Sequence, residues 1–258
     1  MIIKYNNNRF IGGIFMEIRH VPQKSLKAKN EIHPSCHTES RLFVHGKDLL
    51  KIYNEKPGRN KVNTISRLSL IQNDGIVSPL YGVSLYNTKN INGYGMKYYK
   101  DFITLRSYLD KQSISFEERR YIAHKLCQIY DFLLENDFCF CDIHGENIII
   151  KGEEIKFLDM DGGLFSSDVT PEEYHKMIYI SKKYLAELCL QVLLSTTQII
   201  SMCNKDTKIH LLKRANNVQR KFLLHIFEYN MDEDFNPKDY IDEFSESYIR
   251  TERRILKI

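Results

Sequence analysis

The sequence lacks a long uninterrupted hydrophobic run, and this excludes an ordinary membrane-spanning helix from its predicted elements. Its most apolar window, residues 186–202, is broken by Glu187, by Gln191 and by the polar run 195–198. A window of this kind is typical of a buried helix. The N-terminal residues turn polar after only three positions, so we expect no cleavable signal peptide.

The sequence also lacks a strong excess of charge and a dense set of cysteines. Its net charge of +4 over 258 residues suits a nucleotide or an acidic substrate but is too small to indicate nucleic-acid binding. The six cysteines are scattered, which argues against a disulfide framework. The close pair Cys139 and Cys141 has no second pair or histidine cluster beside it, which favours small buried side chains over a metal site. We therefore expect a reduced, cytoplasmic protein that binds neither nucleic acid nor membrane.

Two kinds of hydrophobic pattern divide the chain. In the first part, short apolar runs alternate with turn residues, and segments 41–44 and 49–53 flank a turn, which predicts a β-hairpin. Farther along the chain, helical spacing dominates. We expect an α+β protein with a β-rich N-terminal lobe over residues 1–95, a connector over 96–104 and a helical C-terminal lobe over 105–258.

The same periodicities predict the remaining elements. Ser115 and Glu118 form a capping-box pattern at the start of a long helix, and Thr170 and Pro171 are typical of another helix start. Helices are predicted over 61–72, 116–136, 171–195, 208–229 and 237–256, and further strands over 81–86, 94–99, 148–150 and 155–158.

Oxygen-bearing side chains are concentrated between the long helix and the residues that follow the predicted strand 155–158. Asp142 and Asn147 share one loop, and Asp159 and Asp161 come directly after that strand. Carboxylate and amide oxygens are ligands that Mg²⁺ accepts, and Mg²⁺ usually takes only one or two carboxylates together with substrate phosphates. A carboxylate that is not bound to the metal can accept a proton from an attacking hydroxyl. This combination predicts phosphoryl transfer.

The spacing of Asp142 and Asn147, followed by Asp159-Met160-Asp161, resembles the protein-kinase-like superfamily, which includes aminoglycoside and choline phosphotransferases. The resemblance covers about residues 40–165 and includes the order of a lysine-bearing strand, a helix, a connector, a long helix and the catalytic loop. It implies a two-lobed kinase-like fold that transfers the γ-phosphoryl group of ATP, with Mg²⁺, to a hydroxyl acceptor on a protein or a small molecule.

The resemblance also assigns roles to residues of the helical lobe. Asp142 matches the catalytic base, and His144 stands two residues later, where protein kinases usually have lysine. Asn147 and Asp159 match the Mg²⁺ ligands. Asp161 replaces the glycine of the usual metal motif and is a candidate ligand for a second Mg²⁺.

In the β-rich lobe, the resemblance assigns Lys51 to the α- and β-phosphates of ATP. The connector backbone at Met96, Lys97 and Tyr98 is assigned to the adenine. The phosphate-covering turn matches residues 33–40, which offer backbone amides and hydroxyls in place of a glycine-rich motif.

Departures from the kinase pattern leave both the acceptor and the activity open. The position before Asp142 has no arginine, so control by a phosphorylated activation loop is not expected. The helix 61–72 has no acidic residue to pair with Lys51. We expect an atypical Ser/Thr protein kinase. The alternatives are a small-molecule phosphotransferase, which His144 and Asp161 favour, and a nucleotide-binding pseudokinase that acts through a regulatory protein partner.

Overall fold

A computed structural model describes residues 9–11, 14–27, 30–32, 39–86, 90–111, 113–227 and 234–256. The predicted phosphate-covering turn therefore lies largely outside the described residues. The chain forms two compact units, residues 1–101 and 102–258. The first is rich in strands and the second in helices, which confirms the α+β class; membership of the kinase-like fold stays a proposal. The boundary after Asp101 falls within the segment 96–104 that the sequence predicts as a connector.

The first unit is built on a six-stranded sheet. In this unit the strands are β1 (Arg9–Ile11), β2 (Ile14–Met16), β3 (Ile18–His20), β4 (Glu31–Ile32), β5 (Ser40–His45), β6 (Asp48–Tyr53), β7 (Pro79–Ser84) and β8 (Gly93–Lys97), with helix α1 (Arg59–Leu68). The sheet has the order β3-β7-β8-β6-β5-β4, and β1 and β2 form a separate hairpin. The β3–β7 pair is parallel and the other described pairs are antiparallel.

The predicted hairpin is confirmed as β5 and β6, which turn at Gly46, where φ is +66°. Such a backbone conformation favours glycine. Phe43 pairs with Leu50, and both side chains belong to the core of this unit. The next residue, Lys51, pairs with Leu42 on one side and with Tyr94 on the other, so the hairpin places it in the middle of the sheet.

Helix α1 confirms the predicted helix but ends at Leu68, four residues early. Its buried side chains include Ile65 and Leu68. After Leu68 the chain changes to tighter turns, in which Leu70 donates to the carbonyl of Arg67 and Ile71 to that of Leu68. A mean helical pattern cannot locate such an end, because the next residues are still apolar.

The second unit is mainly helical. Its helices are α2 (Leu105–Lys111), α3 (Phe116–Glu135), α4 (Pro171–Leu194), α5 (Lys205–Arg214), α6 (Asn217–Phe227) and α7 (Glu246–Leu256), and its strands are β9 (Ile103–Thr104), β10 (Phe138–Cys139), β11 (Ile148–Lys151), β12 (Glu154–Phe157) and β13 (Leu164–Phe165). Helices α3 and α4 pack together, and the Sγ atoms of the buried Cys127 on α3 and Cys189 on α4 lie 3.7 Å apart. Among the described residues, no helix is long and apolar enough to cross a membrane.

The starts of the two long helices follow the predicted capping patterns. Thr170 and Glu173 cap α4 reciprocally, since each side chain accepts a hydrogen bond from the backbone amide of the other residue. At α3 the Ser115 hydroxyl accepts from the amide of Glu118 at 3.1 Å, as predicted. The Glu118 carboxylate, however, accepts from the hydroxyl of Tyr108 on α2, so it ties two helices together.

Two predictions for this unit are wrong. The segment predicted as one helix over 208–229 forms two helices over its described residues 208–227, because the chain becomes extended at Ala215 and Asn216 caps α6 through a reciprocal hydrogen-bond pair with Gln219. The segment 237–256 is a 3₁₀ helix, Pro237–Glu243, followed by α7. In each case a local cap or turn overrides the average periodicity.

Candidate functional site

The loop that carries the predicted catalytic residues runs from β10 to β11. Buried apolar side chains hold it on both sides: Phe140 lies against Phe157, with ring centroids 6.0 Å apart, and Ile143 is buried. The carbonyl of Gly145 accepts a hydrogen bond from the amide of Arg106, at 3.1 Å. The Asp142 side chain lies between these anchors and is 66% exposed. The loop therefore presents a carboxylate to solvent from a fixed backbone.

Asn147 closes this loop. Its Nδ2 donates to Asp142 Oδ2 at 2.9 Å and to the Asp142 carbonyl at 3.0 Å. Its backbone amide donates to the carbonyl of His144, also at 3.0 Å. Since the amide nitrogen faces Asp142, the Oδ1 atom of the same planar group lies on its other side and keeps its capacity to accept.

Asp159 lies next to Asn147 because of the β11–β12 hairpin. The two strands pair Ile148 with Phe157, and the ladder continues one step further, where the amide of Leu158 donates to the Asn147 carbonyl at 2.9 Å. Asp159 is the next residue, and its φ of +59° is left-handed. This conformation costs free energy for a residue with a Cβ, and such residues are concentrated at functional sites.

His144 contacts the predicted base. The amide of Glu146 donates to His144 Nδ1 at 3.3 Å, so Nδ1 acts as the acceptor and the proton of the neutral ring is on Nε2. His144 Nε2 lies 3.3 Å from Asp142 Oδ1. The two oxygens of the Asp142 carboxylate thus face one donor each, His144 on one side and Asn147 on the other.

Asp161 differs from Asp159 in its surroundings. It lies in a short 3₁₀ turn, Met160–Gly162, and is only 4% exposed, whereas Asp159 is half-buried. No group of three or more His, Cys, Asp or Glu side chains that could hold a metal ion occurs among the described residues. A Mg²⁺ ion held by one or two carboxylates, an amide oxygen and substrate phosphates needs no such group.

The predicted residues of the first unit lie on its sheet. Lys51 is 4% exposed, and its ammonium group is 5.6 Å from the ring centroid of Tyr53 and 6.0 Å from that of Tyr94. Helix α1 carries no acidic residue, as the sequence indicates. Its Asn63 Oδ1 is buried, and no hydrogen-bond partner for it occurs in the described part of the chain.

The predicted adenine contacts lie at the end of β8. Met96 is buried and Lys97 is exposed. The amide of Tyr98 already donates to the Lys47 carbonyl at 3.2 Å. An adenine bound to this segment would therefore have to use other backbone groups, and the assignment stays a prediction.

Neither a protein-family model nor a curated protein matches this chain. The geometry of the loop 140–147 and of Asp159 is therefore the basis on which an activity is proposed.

The cysteine pair that the sequence interprets as small buried side chains belongs to a cluster of thiols and hydroxyls, in which Cys139 is buried and Cys141 is partly exposed. Cys139 is buried at the end of β10, and its Sγ lies 3.6 Å from Cys141 Sγ, 3.4 Å from Ser181 Oγ and 3.9 Å from the Tyr130 hydroxyl. These hydrogen bonds, above all the one from Cys141, lower the pKa of Cys139 to about 7. The Cys-x-Cys spacing was the only sequence signal, because the other two partners come from distant helices.

Proposed function

We propose that this protein is an ATP- and Mg²⁺-dependent phosphotransferase of the protein-kinase-like fold, and specifically an atypical Ser/Thr protein kinase. One observation carries the proposal: Asn147 bonds the Asp142 carboxylate through its side chain while its backbone pairs with the residue before Asp159. An exposed carboxylate, an amide oxygen and a second carboxylate are thereby gathered at one end of the β11–β12 hairpin.

The residues present fit a magnesium ion. Asn147 Oδ1 and the Asp159 carboxylate are hard oxygen donors that would hold it, and Asp161 would support a second ion from its buried turn. When bound, Mg²⁺ supplies positive charge that neutralises the phosphates of ATP. The left-handed backbone at Asp159 is consistent with a side chain that is positioned for a ligand at some cost in stability.

Asp142 would orient the acceptor hydroxyl and take its proton. In the transfer, the acceptor oxygen bonds to the γ-phosphorus, the bond from that phosphorus to the β–γ bridging oxygen breaks, and the hydroxyl proton moves to the carboxylate. Asn147 Nδ2 holds one oxygen of the carboxylate by a hydrogen bond, His144 Nε2 lies 3.3 Å from the other, and a carboxylate oxygen can accept more than one hydrogen bond. Lys51 and residues 96–98 remain the predicted contacts of ATP in the first unit.

The test of this proposal is incubation of the full chain with Mg²⁺, γ-labelled ATP, a generic protein substrate and a set of small alcohols. We expect label on protein, and we expect Asp142→Ala to lower the rate about 100-fold or more, since the base is lost. Asp206→Ala is the matched control, because Asp206 is an exposed carboxylate on α5 of the same unit. Labelling that is as fast in Asp142→Ala as in Asp206→Ala would remove Asp142 from the mechanism.

The metal assignment has its own test. ATP should raise the unfolding temperature only when Mg²⁺ is present, and Asp159→Asn should abolish this increase while Asp206→Asn leaves it intact. An undiminished Mg²⁺-dependent shift in Asp159→Asn would contradict the role of Asp159.

Two alternatives are each favoured by one observation. The position of His144, whose Nε2 lies 3.3 Å from Asp142 Oδ1, favours a small-molecule phosphotransferase, in which case the label would appear on a small alcohol and not on protein. The lack of a carboxylate on α1 favours a pseudokinase, in which case ATP would stabilise the chain without turnover under any metal. The same incubation and unfolding measurements distinguish all three functions.

A further inference from the structure

Four arginines converge on one cavity of the second unit. Arg250, Arg253 and Arg254 belong to α7, where their spacing places them on one face, and Arg119 comes from the start of α3. Together with Glu246 they line a cavity of about 290 Å³. Four positive charges therefore meet one negative charge, and Glu246 is already paired with Arg250 at 2.9 Å.

Arg119 is held rigidly at the inner wall of this cavity. It is only 6% exposed, its Nη1 donates to the Leu193 carbonyl near the end of α4, and its Nε donates to the Ser115 carbonyl at 3.3 Å. Burial and then the charge of Arg253 lower its pKa, but a guanidinium remains charged at neutral pH. The fixed, buried guanidinium of Arg119 thus lies near the positive charge of Arg253.

Arg253 has an unused donor. Its Nε is buried, and no hydrogen-bond partner for it occurs among the described residues. Because a buried N–H group without an acceptor is unfavourable, as are like charges at close range, this cluster is suited to an anion that supplies several oxygens. Phosphate supplies two negative charges and matches the planar fork of a guanidinium.

A second, polar cavity adjoins the first at Arg253. Its volume is about 370 Å³, and Arg253, Asp110 and residues 195–198 are among its lining. Residues 195–198 are Ser-Thr-Thr-Gln, and Thr197 Oγ1 donates to Asp110 Oδ1 at 3.0 Å. Hydroxyl, amide and carboxylate groups of this kind bind the hydroxyls of a sugar or polyol through mixed donors and acceptors.

We propose that these two cavities form a binding site for a small phosphorylated sugar or polyol, with the phosphate in the arginine cluster and the hydroxyls against residues 195–198. The site uses none of the residues assigned to phosphoryl transfer. It therefore stands independently of the proposed function.

The experiment is calorimetric titration of the full chain in ATP-free buffer at constant ionic strength, with glucose 6-phosphate, inorganic phosphate and glucose as separate probes. We expect glucose 6-phosphate to bind at least about tenfold more tightly than inorganic phosphate or glucose does. Arg253→Gln and the exposed-site change Arg254→Gln should each weaken it about tenfold or more, because a charge-assisted contact is lost. Thr197→Ala should weaken the binding of glucose 6-phosphate severalfold and leave the binding of inorganic phosphate unchanged.

Lys213→Gln is the matched control, since it removes one positive charge from an exposed position on α5. Arg253→Lys keeps the positive charge but loses the planar set of N–H donors of the guanidinium. Its unfolding temperature in the absence of ligand shows whether the second unit still folds when this position is changed. Equal weakening by Lys213→Gln, or unchanged binding in both arginine-to-glutamine variants, would overturn the site. Tighter binding of a phosphoserine peptide than of glucose 6-phosphate would overturn the assignment to a sugar or polyol phosphate.

Discussion

At the scale of single residues, Asn147 joins three parts of the candidate site. Its side chain bonds Asp142, its amide bonds the His144 carbonyl, and its carbonyl receives the amide of Leu158. The first two contacts span five residues or fewer, so a short loop with this spacing could be predicted to make them. The third depends on the β11–β12 hairpin, which the sequence also predicts because the two apolar runs flank a tight turn.

The pKa of Cys139, by contrast, depends partly on residues that are distant in the sequence. Cys139 owes its lowered pKa to Cys141, which is two residues away, but also to Ser181 and Tyr130 on α4 and α3. The same hydrogen bond raises the pKa of Cys141. One proton of the pair is therefore released easily and the second is retained.

We expect an ionisation with a pKa of about 7 in a titration of thiolate absorbance at 240 nm, taken as wild type minus Cys139→Ser. Cys141→Ala should raise this pKa, because the largest stabilising hydrogen bond is removed and burial remains. Cys203→Ala is the control, since burial raises the pKa of that thiol. A titration near pH 7 that persists in Cys141→Ala would contradict this cause.

The same shift predicts how stability depends on pH. The folded pKa of Cys139 lies below the ordinary value of 9.0, so the stabilisation it contributes is present above pH 9 and is lost as pH falls through about 7. The free energy of unfolding of wild type, minus that of Cys139→Ser, should therefore increase as the pH rises from 7 to 9.

At the scale of elements, the glycines of β8 have a steric role. A Cβ at Gly93 would lie 2.0 Å from the carbonyl oxygen of Lys51, and one at Gly95 would lie 2.3 Å from the ring of Tyr81. In the sequence, Gly93-Tyr94-Gly95 resembles a fragment of a phosphate-binding loop but comes too late in the chain. The structure explains these glycines by close packing in the sheet.

Gly93→Ala should therefore destabilise the protein by about 2 kcal/mol or more, because the strand must move away from Lys51. The measurement is the free energy of unfolding in urea. Gly58→Ala is the matched control, since a Cβ there meets no atom within 4 Å, and we expect it to cost less than about 1 kcal/mol. Equal effects of the two changes would contradict the steric account.

Two helix boundaries differ in how well the sequence predicts them. Thr170, Pro171 and Glu173 form a sequence-local cap, and the start of α4 was predicted correctly. The break between α5 and α6 depends on Asn216 and Gln219, whose capping role competes with a continuing apolar pattern. The average periodicity of the segment does not show which of these two local signals prevails.

At the scale of the whole molecule, each unit has a core of its own. In the first unit, residues from β5, β6 and β7 pack together, including Phe43, Leu50 and Val83. In the second, α3 and α4 supply fully buried leucines such as Leu126. The residues from Asp142 to Asp161 all belong to the second unit.

We expect the fragment 102–258 to fold by itself, because its core and its candidate loop lie within one unit. Circular dichroism should show helical structure and one cooperative thermal transition. Leu126→Ala in the fragment should lower its stability by about 3 kcal/mol, since it leaves a cavity in a fully buried site. A gradual transition that Leu126→Ala does not alter would contradict independent folding.

The sequence by itself determined the α+β class, the β5–β6 hairpin, the long helices and the local loop that joins Asp142 to Asn147. These features depend on periodicity, caps and turns, whose physical causes act over a few residues. Only the tertiary structure decided that Ser181 and Tyr130 bond Cys139, that Gly93 packs against Lys51 and that Arg119 meets the arginines of α7. Their partners are distant in sequence, and packing in the folded chain brings them together.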